Sequence, residues 1–260
     1  MDYSNQTVLV TGASSGIGAT FARQLAESGA NLVLVARRGA LLEKLASELR
    51  ERHGARVDVF VIDLTSSASV SKLAAELDKK EIDVDVLINN AGFATSGLFI
   101  DEDLNTVDRE IALNVNAVVS LTRTFLPGMI SRGTGAVVNL ASTAAFQPVP
   151  TMAVYGATKA FVLSFTEAVW AETQGTGVRV LALCPGATDT EFFEIAGSGG
   201  TGAKRETPAS VVQVAMRELS LKNQRPTVIS GSRNAIVSRV PRFVSRAFMS
   251  RLSLRVMSSE

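Results

Sequence analysis

Seven short apolar runs, rich in β-branched residues, recur along this 260-residue chain with helical patterns between them. They are TVLVTG (7–12), NLVLVA (31–36), VDVFVID (57–63), VDVLINN (84–90), GAVVNLAS (135–142), VRVLALCPG (178–186) and PTVISG (226–231). Runs this uniformly apolar read as strands buried on both faces. In the intervening segments, LLEKLASEL places Leu41, Leu42, Leu45 and Leu49 on one helical stripe, and SVSKLAAEL does the same with Val70, Leu73, Ala74 and Leu77. Strands that alternate with helices can satisfy their backbones and bury both faces only as a mostly parallel sheet with helices on each side, joined by right-handed crossovers. The expectation is one α/β domain over residues 1–231, a doubly wound parallel sheet of about seven strands, followed by a separate basic tail, 232–260.

The first run leads into TGASSGIG (11–18), which opens a helical pattern. A tight turn at Gly12, backbone approach to a pyrophosphate at Gly16 and helix-on-strand packing at Gly18 each favour glycine, and the amides of Ser14, Ser15, Gly16 and Ile17 would face a phosphate group. A glycine-rich turn alone could be an ordinary strand-to-helix connection; with a strand before it and a helix after it, it reads as a Rossmann-type dinucleotide site. At the end of the second run stand Arg37 and Arg38, where a ribose-binding carboxylate would select NAD. Guanidinium groups grip a 2′-phosphate and favour NADP(H), although two arginines there could also simply begin a solvated helix.

AVYGATKAF (153–161) sets Tyr155 and Lys159 four residues apart with only Gly156, Ala157 and Thr158 between them. On a helix they share a face. A free phenol titrates near 10 and is a poor acid or base at neutral pH, so a neighbouring ammonium is expected to lower its pKa into a useful range. Thirteen residues earlier Ser142 ends a strand, at the edge where open α/β sheets bind ligands.

These motifs, in this order, resemble the short-chain dehydrogenase/reductase superfamily over roughly residues 5–231: TGxxxGxG, Asp63 after the third strand, NNAG at 89–92, Asn114, Ser142, YxxxK and Pro185-Gly186. The resemblance implies an NADPH-dependent oxidoreductase in which Tyr155 is general acid or base, Ser142 orients the carbonyl, Lys159 lowers the Tyr155 pKa and binds ribose, and Asn114 holds a relay water. Asn116 is a second candidate for that last role. It also implies cofactor contacts from Asp63 and Leu64, from Asn90, Ala91 and Gly92, and from Pro185, Gly186, Thr188 and Thr190. No step needs a metal. The substrate would be a small apolar ketone, aldehyde or 3-oxoacyl compound, met by Phe93, Phe146, Gln147, Phe192 and Phe193. Oxidation of an alcohol or hydroxysteroid is the reverse alternative, and a cofactor sensor without turnover is a third. Helices near 106–131 and 152–174 pair between subunits in such proteins, implying a homodimer or homotetramer.

Other features bound the reading. One cysteine, Cys184, and one histidine, His53, exclude an intramolecular disulfide and a cysteine-built metal site, consistent with a cytoplasmic protein. Cys184 reads as core and His53 as an exposed helix end. EIAGSGGTGAKRETP (194–208) reads as a lid, and Lys204 and Arg205 in it as solvated charges or a site for a phosphate-bearing acyl carrier. Residues 222–260 carry eight Lys/Arg against Glu260, a local charge of +7 that leaves −6 for residues 1–221. The tail sets Val244, Phe248, Leu252 and Val256 at four-residue spacing among arginines, a pattern that suits peripheral contact with an anionic membrane, cover for the cleft or a subunit interface. Nucleic acid is not expected, because no base-stacking aromatics interleave the charge.

Overall fold

A computed structural model describes residues 1–192 and 205–258. The strands are β1 (Thr7–Thr11), β2 (Asn31–Ala36), β3 (Val57–Val61), β4 (Val86–Asn89), β5 (Gly135–Leu140), β6 (Val178–Cys184) and β7 (Thr227–Ile229), all parallel, in the order β3-β2-β1-β4-β5-β6-β7. All seven expected strands form, each ending at or before the C-terminal limit of its apolar run. Ile62, Asp63, Asn90, Ala141, Ser142, Pro185 and Gly186 lie beyond the last paired residues, free to turn into the loops above the sheet. The chain order reverses between β1 and β4, which opens a crevice above their carboxyl ends.

Helices α1 (Gly16–Glu27), α2 (Gly39–His53) and α7 (Pro208–Ser220) belong to one layer, and α3 (Ser69–Lys79), α5 (Val118–Arg132) and α6 (Ala153–Glu172) to the other. The first layer packs Phe21, Leu25, Leu42, Leu49 and Val212 against Val8, Val10, Leu32 and Leu34. The second packs Leu73, Leu77, Leu121 and Val169 against the opposite side chains, Leu9, Val33, Leu87 and Val137. This accounts for the continuous apolar runs: alternate residues of the central strands each meet a helix layer. Leu41, assigned to the α2 stripe, is turned outward while Leu42, Leu45 and Leu49 are buried. Cys184 is fully buried core and His53 is exposed at the end of α2.

Short helix α4 (Leu104–Ile111) runs into α5 through a π-helical turn, Ala112–Ala117. Such a turn holds one more residue per hydrogen-bonded loop than an α-turn and is often found at functional sites. It turns Asn114 inward to complete burial and leaves Asn116 exposed.

A buried polar network ties the second layer to the sheet. Asn89 donates to Asn139 Oδ1 at 2.8 Å and to Thr122 Oγ1 at 3.2 Å, and Asn139 donates to Thr166 Oγ1 at 2.9 Å. Replacing Asn139 by leucine of similar size takes away one of the two acceptors of the Asn89 amide, leaving it Thr122 Oγ1 alone and one buried N–H unpaired, at a cost of about 1–3 kcal/mol. Asn139→Leu is therefore expected to lower the thermal midpoint by roughly 5–10 °C, read by circular dichroism; an unchanged midpoint would contradict this account of the network.

Candidate active site

The carboxyl ends of β1, β4, β5 and β6 surround one cavity of about 580 Å³. At its floor, Gly12 turns with φ +65, and a Cβ there would lie 2.9 Å from the Ala91 backbone. At Gly18 a Cβ would clash with the Gly12 carbonyl oxygen, so α1 starts tight against the strand that feeds it. Gly18 therefore works by packing and does not itself line the cavity. Ser15 precedes helix α1 without capping it through its side chain, which leaves the first-turn amides to an anion.

Thr11 splices this loop to the next strand. Its hydroxyl donates to Ile88 O at 3.2 Å and accepts from the amides of Asn90 and Ala91, both at 3.0 Å. Asn90 answers by donating to Thr11 O at 2.9 Å. The sequence offered no separate signal for Thr11 beyond its place before Gly12.

Arg37 and Arg38 both reach the cavity. The Arg38 guanidinium donates to Ser14 Oγ at 3.2 and 3.1 Å and to Ser15 Oγ at 2.6 Å, and pairs with Glu191 at 2.8 Å. Two hydroxyls, a guanidinium and the Glu191 carboxylate thus meet beside the end of β2. Asp63 accepts from the amide and hydroxyl of Thr65 at 3.0 and 2.8 Å. Burial works to raise its pKa, but those bonds, with Arg37 and Arg109 nearby, hold it below the usual carboxylate value.

Tyr155, Lys159 and Ser142 meet on the opposite wall. Tyr155 packs against Phe192, ring centroids 5.4 Å apart, and Lys159 Nζ lies 5.6 Å from the Tyr155 ring centre while donating to Leu140 O at 2.7 Å. Burial dominates the electrostatics. It pushes the Tyr155 phenol up to about 12, against a hydrogen bond from Ser142 that favours the phenolate, while Glu110 pushes the same way as burial. It also pushes Lys159 down to about 8. Lys159 is not among the groups that lower the Tyr155 pKa in the free chain; loss of solvent dominates, and the lowering expected from the four-residue spacing does not appear.

Asn114 stands behind this wall and does not line the cavity. Its amide donates to Phe93 O at 2.9 Å and to Thr158 Oγ1 at 3.2 Å, and its oxygen accepts from Phe93 N at 3.2 Å. The side chain is therefore engaged in holding the segment after β4. Glu110, one turn earlier, is fully buried and accepts from the amide and hydroxyl of Thr95 at 3.1 and 2.9 Å. Burial raises its pKa. Nothing in its sequence neighbourhood marks it, because a lone Glu on a polar helix reads as solvated.

Leu64, Ala91, Gly92, Pro185, Gly186, Thr188 and Thr190 join the lining, as do Phe93, Gln147 and Phe192. Phe146 does not: it packs on the cluster around Val118, Ala141 and Val162, because the short 3-10 turn Thr143–Phe146 rotates it toward α6. Phe193, Lys204 and most of the expected lid lie outside the described residues. The described ends of that segment are clasped by Asp189 N to Glu206 O at 2.8 Å and Glu206 N to Ala187 O at 2.9 Å. Helix α8 (Ser232–Val237) supplies Asn234 and Val237 to the lining, with Ser238 after it, so a boundary at 231 cuts through the cavity wall.

Because Lys159 titrates lower folded than unfolded, the unfolded chain binds its proton more tightly between about pH 8 and 10.5. Stability from this site is therefore present at high pH and lost as pH falls toward 8. Lys159→Met is expected to be more stable than the unaltered chain at pH 7, with the gap shrinking between pH 8 and 10. Thermal denaturation across that range reads it, and a gap independent of pH would refute the burial penalty.

Comparison with known proteins agrees with this geometry. The family model described as short chain dehydrogenase matches residues 6–198. Sulfoacetaldehyde reductase 2 of Chromohalobacter salexigens is 40% identical over 198 residues, covering 75% of this chain and 78% of its own. The very-long-chain 3-oxoacyl-CoA reductase of Anas platyrhynchos is 34% identical over 221 residues, covering 83% and 69%. A short-chain dehydrogenase of Sphingobium yanoikuyae, solved in complex with NADPH, superposes with a TM-score of 0.79 at 38% identity, covering 86% of this chain and 87% of that one.

Proposed function

The chain belongs to the short-chain dehydrogenase family, and from that premise we propose that it is a reductase that uses NADPH to reduce the carbonyl of an apolar ketone, aldehyde or 3-oxoacyl compound. The observation that carries the reading is the cavity itself: a glycine turn and uncapped helix start beside Arg38 at one end, and Tyr155, Ser142 and Lys159 together at the other. Its substrate side is apolar, with Phe93, Val149, Met152 and Phe192 beside Tyr155. Relatives named as reductases of a sulfonated aldehyde and of a 3-oxoacyl thioester support the carbonyl chemistry.

The residues present fit a dinucleotide. Cβ atoms at Gly12 and Gly18 would fill the turn, the amides of Gly16 and Ile17 suit a pyrophosphate, Arg37 and Arg38 with Ser14 suit a 2′-phosphate, and Asp63, Asn90, Ala91, Gly92, Pro185, Gly186, Thr188 and Thr190 would hold the remainder. When bound, the nicotinamide supplies the hydride that the carbonyl carbon receives. Tyr155 gives the proton that the carbonyl oxygen takes up. Its high pKa keeps that proton available across the neutral range, and the buried wall excludes competing water. Ser142 donates to the same oxygen and fixes its direction. Lys159, charged below about pH 8, favours the phenolate as it forms. Asn114, bound to Phe93 and Thr158, sets the segment on which Phe93 meets the substrate. We extend the proposal to a homo-oligomer: Phe99, Ile111, Val115 and Phe161 line a shallow apolar hollow between α4 and α6.

Two tests follow. NADPH oxidation against a panel of ketones, aldehydes and 3-oxoacyl thioesters should show turnover that falls by roughly 10²–10⁴-fold in Tyr155→Phe; equal rates in the two proteins would remove Tyr155 from the chemistry. Arg38→Asp should lower kcat/KM for NADPH by about 10–100-fold, the worth of a charge-assisted phosphate contact, while raising that for NADH. A cofactor ratio unmoved by this change would assign selectivity elsewhere.

A further inference from the structure

Beyond the cavity, the chain ends in a surface that the oxidoreductase reading does not use. Between Glu218 and Glu260 the sequence holds no acidic residue. Arg233, Arg239, Arg246, Arg251 and Arg255 are all exposed, and none takes part in an ion pair among the described residues. Among them stand large apolar side chains open to solvent: Ile236 and Val240 around the end of α8, Phe243 at 85% exposure, then Phe248 and Leu252 on helix α9 (Arg246–Ser258).

Helix α9 is held to the protein by Met249, which is 6% exposed. The stripe read from the sequence is not its inner face. Phe248 and Leu252 point away from the domain, Val244 is half-buried, and the Val256 side chain lies outside the described residues. Covering the cleft is therefore not the role of that stripe. The cleft is instead bordered by Val237 and Ser238, which connect directly to the exposed apolar segment.

We propose that this surface docks the protein on an anionic lipid bilayer. The choice of occupant follows from charge and shape. A second copy meeting the same patch would set arginine against arginine, whereas anionic headgroups neutralise them. The apolar side chains come from a helix, a 3-10 turn and a second helix, without the spacing of a single helix-packing seam, and the headgroup region of a bilayer accepts such a scatter while arginine stems lie along it. Among the described residues no helix is long and apolar enough to cross a membrane, so the contact is peripheral. As a corollary resting on the proposed function, Val237 brings the cavity mouth to the lipid side, where a long-chain 3-oxoacyl substrate would partition.

The test is co-sedimentation of the full chain with phosphatidylglycerol vesicles and with phosphatidylcholine vesicles at low and high salt. Binding to the anionic vesicles alone, falling as salt rises, is expected. The double variant Phe243→Glu, Phe248→Glu should lose most of it while keeping NADPH oxidation on a water-soluble ketone. Absence of anionic-vesicle binding at low salt overturns the proposal. So does undiminished binding by the double variant, which would mean charge alone acts and an acidic protein or polyanion fits equally. A fall in oligomer size in the variant, measured by sedimentation equilibrium and without vesicle binding by the unaltered chain, would assign the face to a second copy. Vesicle binding without turnover of any carbonyl would leave the docking surface standing and remove only the proposed reaction.

Discussion

Two parallel strands whose following connections cross to opposite layers must part at their carboxyl ends, and β1 and β4 do so here. Thr11 and Asn90 stitch that parting together. A single hydroxyl reaches the Ile88 carbonyl near the end of β4 and two amides beyond the strand, while the asparagine amide returns to Thr11. The glycine turn, the start of α1 and the NNAG segment all take their positions from this seam. Every wall of the cavity is set relative to it, because β2, β5 and β6 extend outward from β1 and β4 in continuous register.

Against that floor the buried polar side chains of the cavity are held at an electrostatic cost. Lys159 and Tyr155 sit almost fully out of water, and burial drives their pKa values apart, the phenol up and the ammonium down. The lysine is retained by a bond to Leu140 O, the phenol lies beside Ser142, and Glu110 adds a buried carboxyl tied to Thr95. Polar groups that a core would ordinarily reject are tolerated because each has a hydrogen-bond partner: the Leu140 carbonyl for Lys159, Ser142 for Tyr155 and Thr95 for Glu110. The π-helical turn belongs to the same arrangement, since it brings Asn114 to the Phe93 backbone and Thr158.

The carboxyl-terminal segment serves two surfaces. Its first residues close the cavity wall through Asn234, Val237 and Ser238, with the Asn234 amide donating to Ser230 O and to Glu206 beside the clasp at the base of the 189–206 segment. Its later residues turn apolar side chains and arginines outward. A segment that ends the cavity wall and begins an exposed basic face gives that wall a fixed orientation toward whatever the face meets.

The alternation of apolar runs with helical stripes determined the sheet, its parallel strands and both helix layers, because a strand buried on both faces has few ways to satisfy its backbone. The spacing in TGASSGIG and YGATK determined which residues meet at the crevice, since turn chemistry and helix periodicity are local. Tertiary structure alone decided what depends on distant packing. It sent Phe146 into the cluster near Val162, buried Asn114 and exposed Asn116 at one π-helical turn, and turned Met249 inward in place of Phe248. It also decided how the site titrates, because the loss of water around Tyr155 and Lys159 depends on every element packed over them and is invisible to the four-residue spacing that pairs them.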